Sequence, residues 1–137
     1  MNDKSCQDKK ITIMVVDDEV HMRRLIGRML HGAGFKVIET ASGSEALRIL
    51  TESPHKPDLI TCDISMPDMD GFEILKAVRT TPELSNLPVI MLTAMGQLSE
   101  ADRAKEMGAT GYITKPFSAL SLIDLIRAET AHIRPDE

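Results

Sequence analysis

The chain has 137 residues, and its 16 basic and 21 acidic side chains give a net charge of −5, which argues against a general nucleic-acid-binding surface. Its apolar share of 42% is typical of a globular domain, and no apolar run reaches the roughly 18 residues that a membrane span requires. The N-terminus lacks the pattern of a signal peptide, and Cys6 in a polar tail is not expected to pair with Cys62 in a predicted strand. We therefore expect a cytoplasmic protein that binds neither membrane nor nucleic acid.

The first half of the chain predicts three strands and two helices. A β-branched run at 11–16 predicts the first strand, and it ends in Asp17-Asp18-Glu19. A helical pattern then runs from Val20 to the glycines at 32 and 34. A second strand is predicted at 35–39, and the capping-box spacing of Ser42-Gly43-Ser44-Glu45 predicts the start of the second helix. The third strand, 59–63, is apolar on both faces and ends in Asp63. The apolar face of the first helix is predicted to comprise Met22, Leu25, Ile26, Met29, Leu30 and Ala33.

The second half repeats the alternation. Asp70-Gly71 begins a third helix, 89–93 is a fourth strand, and a fourth helix runs from Ser99 to Gly108. The fifth strand is predicted at 110–115, and Ser118 caps the last helix. Five strands that alternate with five helices favour an α/β fold with a parallel sheet. We predict one domain at 10–132, with tails at 1–9 and 133–137.

Polar residues lie at the ends of four of the predicted strands. They are Asp17 with Asp18, then Asp63, Thr93 and Lys115. Because the carboxyl ends of parallel strands meet at one edge of a sheet, these side chains are expected to converge there. Three carboxylates within about 5 Å of one another would repel by roughly 3 kcal/mol per pair at an effective dielectric near 20. Such a cluster is expected to hold a cation or to contain an acid of raised pKa.

The residue types indicate which cation and which chemistry. Carboxylate oxygens without histidine or cysteine favour Mg²⁺, with Mn²⁺ also possible. A hydroxyl and an ammonium group opposite the acids suit a phosphoryl group beside the metal, and an aspartate can attack phosphorus.

The chain resembles the receiver domain of two-component response regulators over nearly all of residues 10–132. The resemblance rests on four motifs in order: Val15-Val16-Asp17-Asp18-Glu19; Asp63-Ile64-Ser65-Met66-Pro67-Asp68-Met69-Asp70-Gly71; Leu92-Thr93-Ala94; and Gly108-Ala109-Thr110-Gly111-Tyr112-Ile113-Thr114-Lys115-Pro116-Phe117. It implies a doubly wound, flavodoxin-like sheet of order 2-1-3-4-5 with helices on both faces, as in chemotaxis receivers. It also implies that the Lys115–Pro116 peptide bond is often cis in the family.

The resemblance also implies a role for each site residue. Asp63 would accept a phosphoryl group from a phosphohistidine, and Asp18, Asp63 and the backbone carbonyl of Ser65 would bind Mg²⁺, with Asp17 acting largely through a metal-bound water. Lys115 and Thr93 would contact the phosphoryl group. The small Ala94 would leave room for it, and Tyr112 would move inward as Thr93 shifts. The protein would then be a signalling switch rather than an enzyme, with only self-catalysed phosphorylation and slow autodephosphorylation.

The expected partners follow from the same resemblance. A sensor histidine kinase or histidine phosphotransfer protein would dock on the first helix near Met22. A target protein would bind the face formed by the fourth helix, fifth strand and fifth helix, around Met95, Tyr112 and Phe117.

Four alternatives remain at this point. The chain could be a receiver cut from a larger regulator or hybrid kinase, or a receiver that works without phosphorylation, although its acid, Thr and Lys set is complete. An aspartyl-nucleophile phosphatase would want Asp-x-Asp after the first strand, where this chain has Asp17-Asp18-Glu19. A flavodoxin-like electron carrier would want a hydroxyl-rich turn there.

Overall fold

The computed structural model describes residues 10–54, 56–67, 69–94 and 98–131. The predicted tails, Cys6 and Met95 lie outside these ranges. The strands are β1 (Thr12–Val16), β2 (Lys36–Thr40), β3 (Leu59–Asp63), β4 (Val89–Thr93) and β5 (Gly111–Thr114). The helices are α1 (Val20–Gly32), α2 (Gly43–Glu52), α3 (Gly71–Thr80), α4 (Leu98–Glu106) and α5 (Ala119–Thr130), with a 3-10 turn at Pro82–Leu84.

The five strands form one parallel sheet in the order β2-β1-β3-β4-β5, which confirms the predicted fold. The chain reverses its direction of travel across the sheet after β2, so the first and third strands are neighbours: Val16 of β1 lies opposite Cys62 of β3. In open parallel sheets, sites lie at the carboxyl edge where the strand order reverses. The acids that follow β1 and β3 are therefore adjacent.

The sheet separates two apolar layers. Alternate residues of the strands face α2, α3 and α4 on one side, where Leu50, Leu75 and Ala104 are buried. The other residues face α1 and α5, where Ile26, Leu30 and Leu122 are buried. All five residues of β3 and of β4 are buried, because helices cover both faces of these central strands.

Side chains cap the N-termini of several helices by hydrogen bonding to free backbone amides. Ser42 accepts a hydrogen bond from the Glu45 amide at 3.1 Å, and the Ser118 hydroxyl accepts one from the Ser121 amide at 3.0 Å. At α3 both halves of a capping box form: Asp70 accepts from the Glu73 amide, and the Glu73 carboxylate accepts from the Asp70 amide. These contacts satisfy amides that have no partner within the helix.

Some element bounds and the exposure of one side chain differ from the sequence-based predictions. Helix α4 begins at Leu98 rather than Ser99. Strands β1, β2 and β5 begin one residue later than predicted, β2 ends one residue later at Thr40, and β5 ends at Thr114, before Lys115. Leu25 was assigned to the apolar face of α1 but is 51% exposed. Since consecutive helical residues are about 100° apart, Leu25 lies at the edge of the stripe centred on the buried Ile26 and Leu30, beyond the surface that the sheet covers.

Among the described residues, no helix is both long enough and apolar enough to cross a bilayer.

Candidate functional site

Asp63 is the last residue of the central strand β3 and is 8% exposed. Its neighbours are β1 on one side and β4 on the other, so its carboxylate emerges in the middle of the carboxyl edge. One carboxylate oxygen, Oδ1, accepts a hydrogen bond of 3.3 Å from the backbone amide of Ser65. The other oxygen, Oδ2, lies 3.2 Å from the Lys115 ammonium.

Asp17 follows β1 and is buried, whereas Asp18 beside it is exposed. The Asp17 amide donates to the Thr40 carbonyl of β2 at 3.2 Å, and its Oδ1 accepts from the Glu19 amide at 2.9 Å. Its Oδ2 is buried and has no hydrogen-bond partner among the described residues. A buried carboxylate oxygen without a partner is costly, so this atom is poised to accept a bond from a group inside the pocket.

The three acids converge as predicted. Asp17, Asp18 and Asp63 each offer one carboxylate oxygen, and these oxygens lie within 4.8 Å of one another. Burial raises the pKa of Asp17, and the negative charges of Asp63 and Asp18 raise it further, against the lowering effects of the Glu19 amide and the Lys115 ammonium. The unpartnered Oδ2 and the all-oxygen donor set fit a hard divalent cation such as Mg²⁺.

Lys115 directly follows β5, and its side chain reaches back over the acids. Its Nζ is 4.0 Å from the Asp17 Oδ2 in addition to its close contact with Asp63. Its backbone amide donates to the Thr93 carbonyl at 2.7 Å, which extends the pairing of β4 with β5 by one residue. The Lys115–Pro116 peptide bond is cis.

The other predicted site residues lie around this cluster. Thr93 ends β4 and is 2% exposed, and the exposed Ala94 follows it. Ser65 is exposed beside Asp63. Tyr112 lies further back on β5, half-buried, and the Lys105 ammonium of α4 lies 5.5 Å from its ring centroid. The structure thus joins Asp17, Asp18, Asp63 and Lys115 by short distances, and it puts Thr93 and Ala94 at the adjoining strand end.

Two residues near the site make contacts that the sequence does not predict. A Cβ on Gly71 would lie 2.9 Å from the Asp63 carbonyl oxygen and 2.8 Å from the Met91 Cε, so α3 approaches the end of β3 too closely for any side chain. The sequence predicts the start of a helix at Gly71, and α3 begins there. Arg23 of α1 is the second such residue: its guanidinium donates a hydrogen bond to the Asp17 carbonyl at 3.0 Å. Neither close approach leaves a signal in a single sequence.

Cys62 lies within β3, as predicted. It is fully buried, and burial together with the charge of Asp63 raises the pKa of its thiol far above the ordinary value. Its reactive thiolate form is therefore suppressed.

Comparisons with known proteins give one consistent result. A family model described as the response regulator receiver domain matches residues 13–127. The protein named "Probable chemotaxis protein CheY" of Rhizobium etli is 40% identical over 111 residues, which cover 80% of this chain and 84% of that relative. Among solved structures, the chemotaxis response regulator CheY4 of Vibrio cholerae matches with a TM-score of 0.80 and 33% identity, covering 87% of this chain and 98% of that one.

Some relatives are longer. The protein named "Probable transcriptional regulator ycf27" of Cyanophora paradoxa is 39% identical over 119 residues, which cover 87% of this chain but 48% of the relative. The chain therefore spans about half the length of such relatives.

Proposed function

We propose that this chain, which belongs to the response regulator receiver domain family, is a phosphorylation-controlled switch of a two-component or phosphorelay pathway in the cytoplasm. Asp63 is the proposed phosphoacceptor. The observation that carries the proposal is the convergence of three carboxylates within 4.8 Å around Asp63, with the Lys115 ammonium 3.2 Å from its Oδ2. The receiver family also favours this function over the phosphatase and electron-carrier alternatives.

The proposed reaction is phosphoryl transfer from a phosphohistidine of the donor protein. An Asp63 carboxylate oxygen forms a bond to phosphorus, the phosphorus–nitrogen bond breaks, and the donor imidazole leaves with the electron pair and takes up a proton. Transfer of this kind depends mainly on positioning and on neutralisation of charge. Lys115 supplies part of that neutralisation, because its ammonium already lies beside the accepting carboxylate.

Asp18, Asp63 and the backbone carbonyl of Ser65 are the proposed ligands for Mg²⁺ or Mn²⁺, with Asp17 acting through a metal-bound water. When bound, the cation neutralises charge that develops on the phosphoryl oxygens. The buried Oδ2 of Asp17, which has no hydrogen-bond partner among the described residues and lies 4.0 Å from the Lys115 ammonium, supports a group at this position.

The proposed switch begins at Thr93, whose hydroxyl would bond the phosphoryl group, with Ala94 leaving space beside it. Tyr112 would follow by moving inward. The surface formed by α4, β5 and α5, around Tyr112 and Phe117, would exist in two states. The resulting change shifts the equilibrium between them toward the state that binds a target protein. A histidine kinase or phosphotransfer protein is the proposed partner at α1 near Met22.

Replacement of the acceptor tests the proposal. Wild type, Asp63→Asn and the control Asp124→Asn, which removes an exposed acid on α5, are incubated with radiolabelled acetyl phosphate and Mg²⁺. Acid-labile label is expected on wild type and on the control, and none on Asp63→Asn. Excess chelator is expected to suppress labelling of the wild type. Undiminished labelling of Asp63→Asn would mean that another residue accepts the phosphoryl group.

A further inference from the structure

Arg23 on α1 donates a hydrogen bond to the Asp17 carbonyl, in the backbone that carries the acidic pair. We propose that Arg23 is a positioning residue that fixes the peptide between Asp17 and Asp18 for binding of the divalent cation. The inference rests on the proposed function, since it concerns the cation site of the same pocket. In this role Arg23 would act on the cation site through the backbone and not by direct contact with the cation or the reacting atoms.

The polar groups of Asp17 are held from three sides. Its amide bonds to Thr40 of β2 at 3.2 Å, its Oδ1 accepts from the Glu19 amide at 2.9 Å, and its carbonyl accepts from the Arg23 Nη1 at 3.0 Å. Only Oδ2 is without a hydrogen-bond partner among the described residues. Asp17 is therefore held by β2 and by the start of α1, with one oxygen left for the pocket.

The bond from Arg23 acts on Asp18 through the geometry of the peptide. The Asp17 carbonyl oxygen lies in the same rigid plane as the Asp18 nitrogen and Cα. Fixing that oxygen restricts rotation of the plane, and the direction in which the Asp18 side chain leaves the backbone is restricted with it. Asp18 is exposed, so packing does little to fix the position of its carboxylate. The orientation of the peptide between Asp17 and Asp18 therefore has a larger influence on where that carboxylate lies.

Arg23 is itself held in place by β2. Its Nε lies 3.6 Å from the Glu39 Oε1, and its side chain is 16% exposed. The other Glu39 oxygen occupies the space beside Gly27 of α1, where a Cβ would lie 2.8 Å from it. The absence of a side chain at Gly27 thus makes room for the carboxylate that orients the guanidinium. A planar guanidinium can contact two acceptors in fixed directions, which a lysine ammonium on its flexible stem does less well.

Positioning and simple electrostatics predict opposite effects. If Arg23 acted only as a positive charge near the pocket, its removal would strengthen cation binding. If Arg23 positions the ligands, its removal weakens cation binding, as for other residues that orient metal ligands. Arg24 is the matched control, because it is the next residue, carries the same charge and is exposed.

The test measures binding of Mn²⁺ to the unphosphorylated protein by electron paramagnetic resonance, with Mg²⁺ as competitor. Arg23→Gln is expected to raise the Kd about tenfold, the lower end of effects seen for residues that orient metal ligands. Arg23→Lys, which keeps the charge, is expected to raise it about threefold, and Arg24→Gln to leave it within about twofold of wild type. At saturating Mg²⁺, labelling of Arg23→Gln by acetyl phosphate is expected to return to near the wild-type rate, because only affinity is lost.

A Kd for Arg23→Gln equal to or below that of wild type would overturn the inference. Circular dichroism identifies a variant that fails to fold. If Arg23→Gln does not fold, Arg23→Lys is used in its place. A Kd of Arg23→Lys equal to that of wild type would then overturn the inference. Failure of the wild type to bind Mn²⁺ would instead contradict the proposed function, which separates the two results.

Discussion

At Asp17, burial and hydrogen bonding act against each other. The side chain is fully buried, and both burial and the neighbouring acids raise its pKa, while the Glu19 amide and Lys115 favour the charged form. The net result is a raised pKa of Asp17, so that charging this carboxyl group costs the folded state free energy. A bound divalent cation would offset that cost, because Oδ2 has no hydrogen-bond partner among the described residues and the Lys115 ammonium is 4.0 Å away.

Asp17→Asn is expected to stabilise the metal-free protein at pH 7. An acid whose pKa is higher folded than unfolded binds more protons in the folded state between those two values, so stability falls as pH rises through that window. The cost is fully present above the folded-state pKa and absent below the ordinary value of 3.8. Urea unfolding in the presence of chelator should show a gain of about 1–3 kcal/mol, the scale of carboxylate repulsion at these distances, which shrinks steadily toward pH 4.

Asp102→Asn serves as the control for Asp17→Asn, because Asp102 is an exposed acid on α4. It should leave the stability nearly unchanged at every pH. A loss of stability in Asp17→Asn at pH 7 would show that the bond from the Glu19 amide outweighs burial and repulsion.

Among the elements, α3 approaches the site closely. Its first residue, Gly71, lies against the Asp63 carbonyl and the Met91 side chain, and the capping box of Asp70 and Glu73 fixes where the helix begins. The packing of α3 on the end of β3 therefore helps to set the direction of the segment that follows Asp63. The same contact makes the position sensitive to a single methyl group.

Gly71→Ala is expected to destabilise the fold by about 1–3 kcal/mol, the usual cost of overpacking, even though alanine is the better helix former. Gly32→Ala, at the end of α1, is the control: a Cβ there meets no atom within 4 Å. It should stabilise the protein by up to about 1 kcal/mol. Both values follow from midpoints of urea unfolding at unchanged slope. Equal effects of the two substitutions would contradict the close approach at Gly71.

The elements also show where a sequence is informative. The bounds of β3 and β4 were predicted correctly, since an apolar run ended by a polar residue marks a strand buried on both faces. The convergence of Asp17, Asp63 and Lys115 followed from the same rule. The exposure of Leu25 and the bond from Arg23 to the Asp17 carbonyl could not be predicted from that rule. Both depend on how α1 packs against the rest of the fold, which the local sequence does not determine.

At the scale of the whole molecule, the parallel topology concentrates charge. Five strands run in one direction, so residues separated by up to about a hundred positions meet at one edge, and three of them are acids. The stability of the fold and the occupancy of the pocket are thereby linked. A cation that binds only the folded state stabilises it by mass action.

Mg²⁺ is expected to raise the thermal unfolding midpoint, by an amount corresponding to about 2.7 kcal/mol at a hundredfold excess over the Kd. Asp18→Asn should abolish most of this shift, whereas Asp124→Asn, with its exposed acid on α5, should retain it. Calorimetry with and without chelator measures both. A shift that persists in full in Asp18→Asn would locate the cation elsewhere on the protein.

The position of Tyr112 on β5 has a practical consequence. The chain contains one tyrosine and no tryptophan, so its intrinsic ultraviolet fluorescence comes essentially from a single ring on β5, the strand that leads directly into Lys115. The emission of this protein is therefore a built-in local probe, and a change in the surroundings of that ring can be followed in real time without attaching a dye.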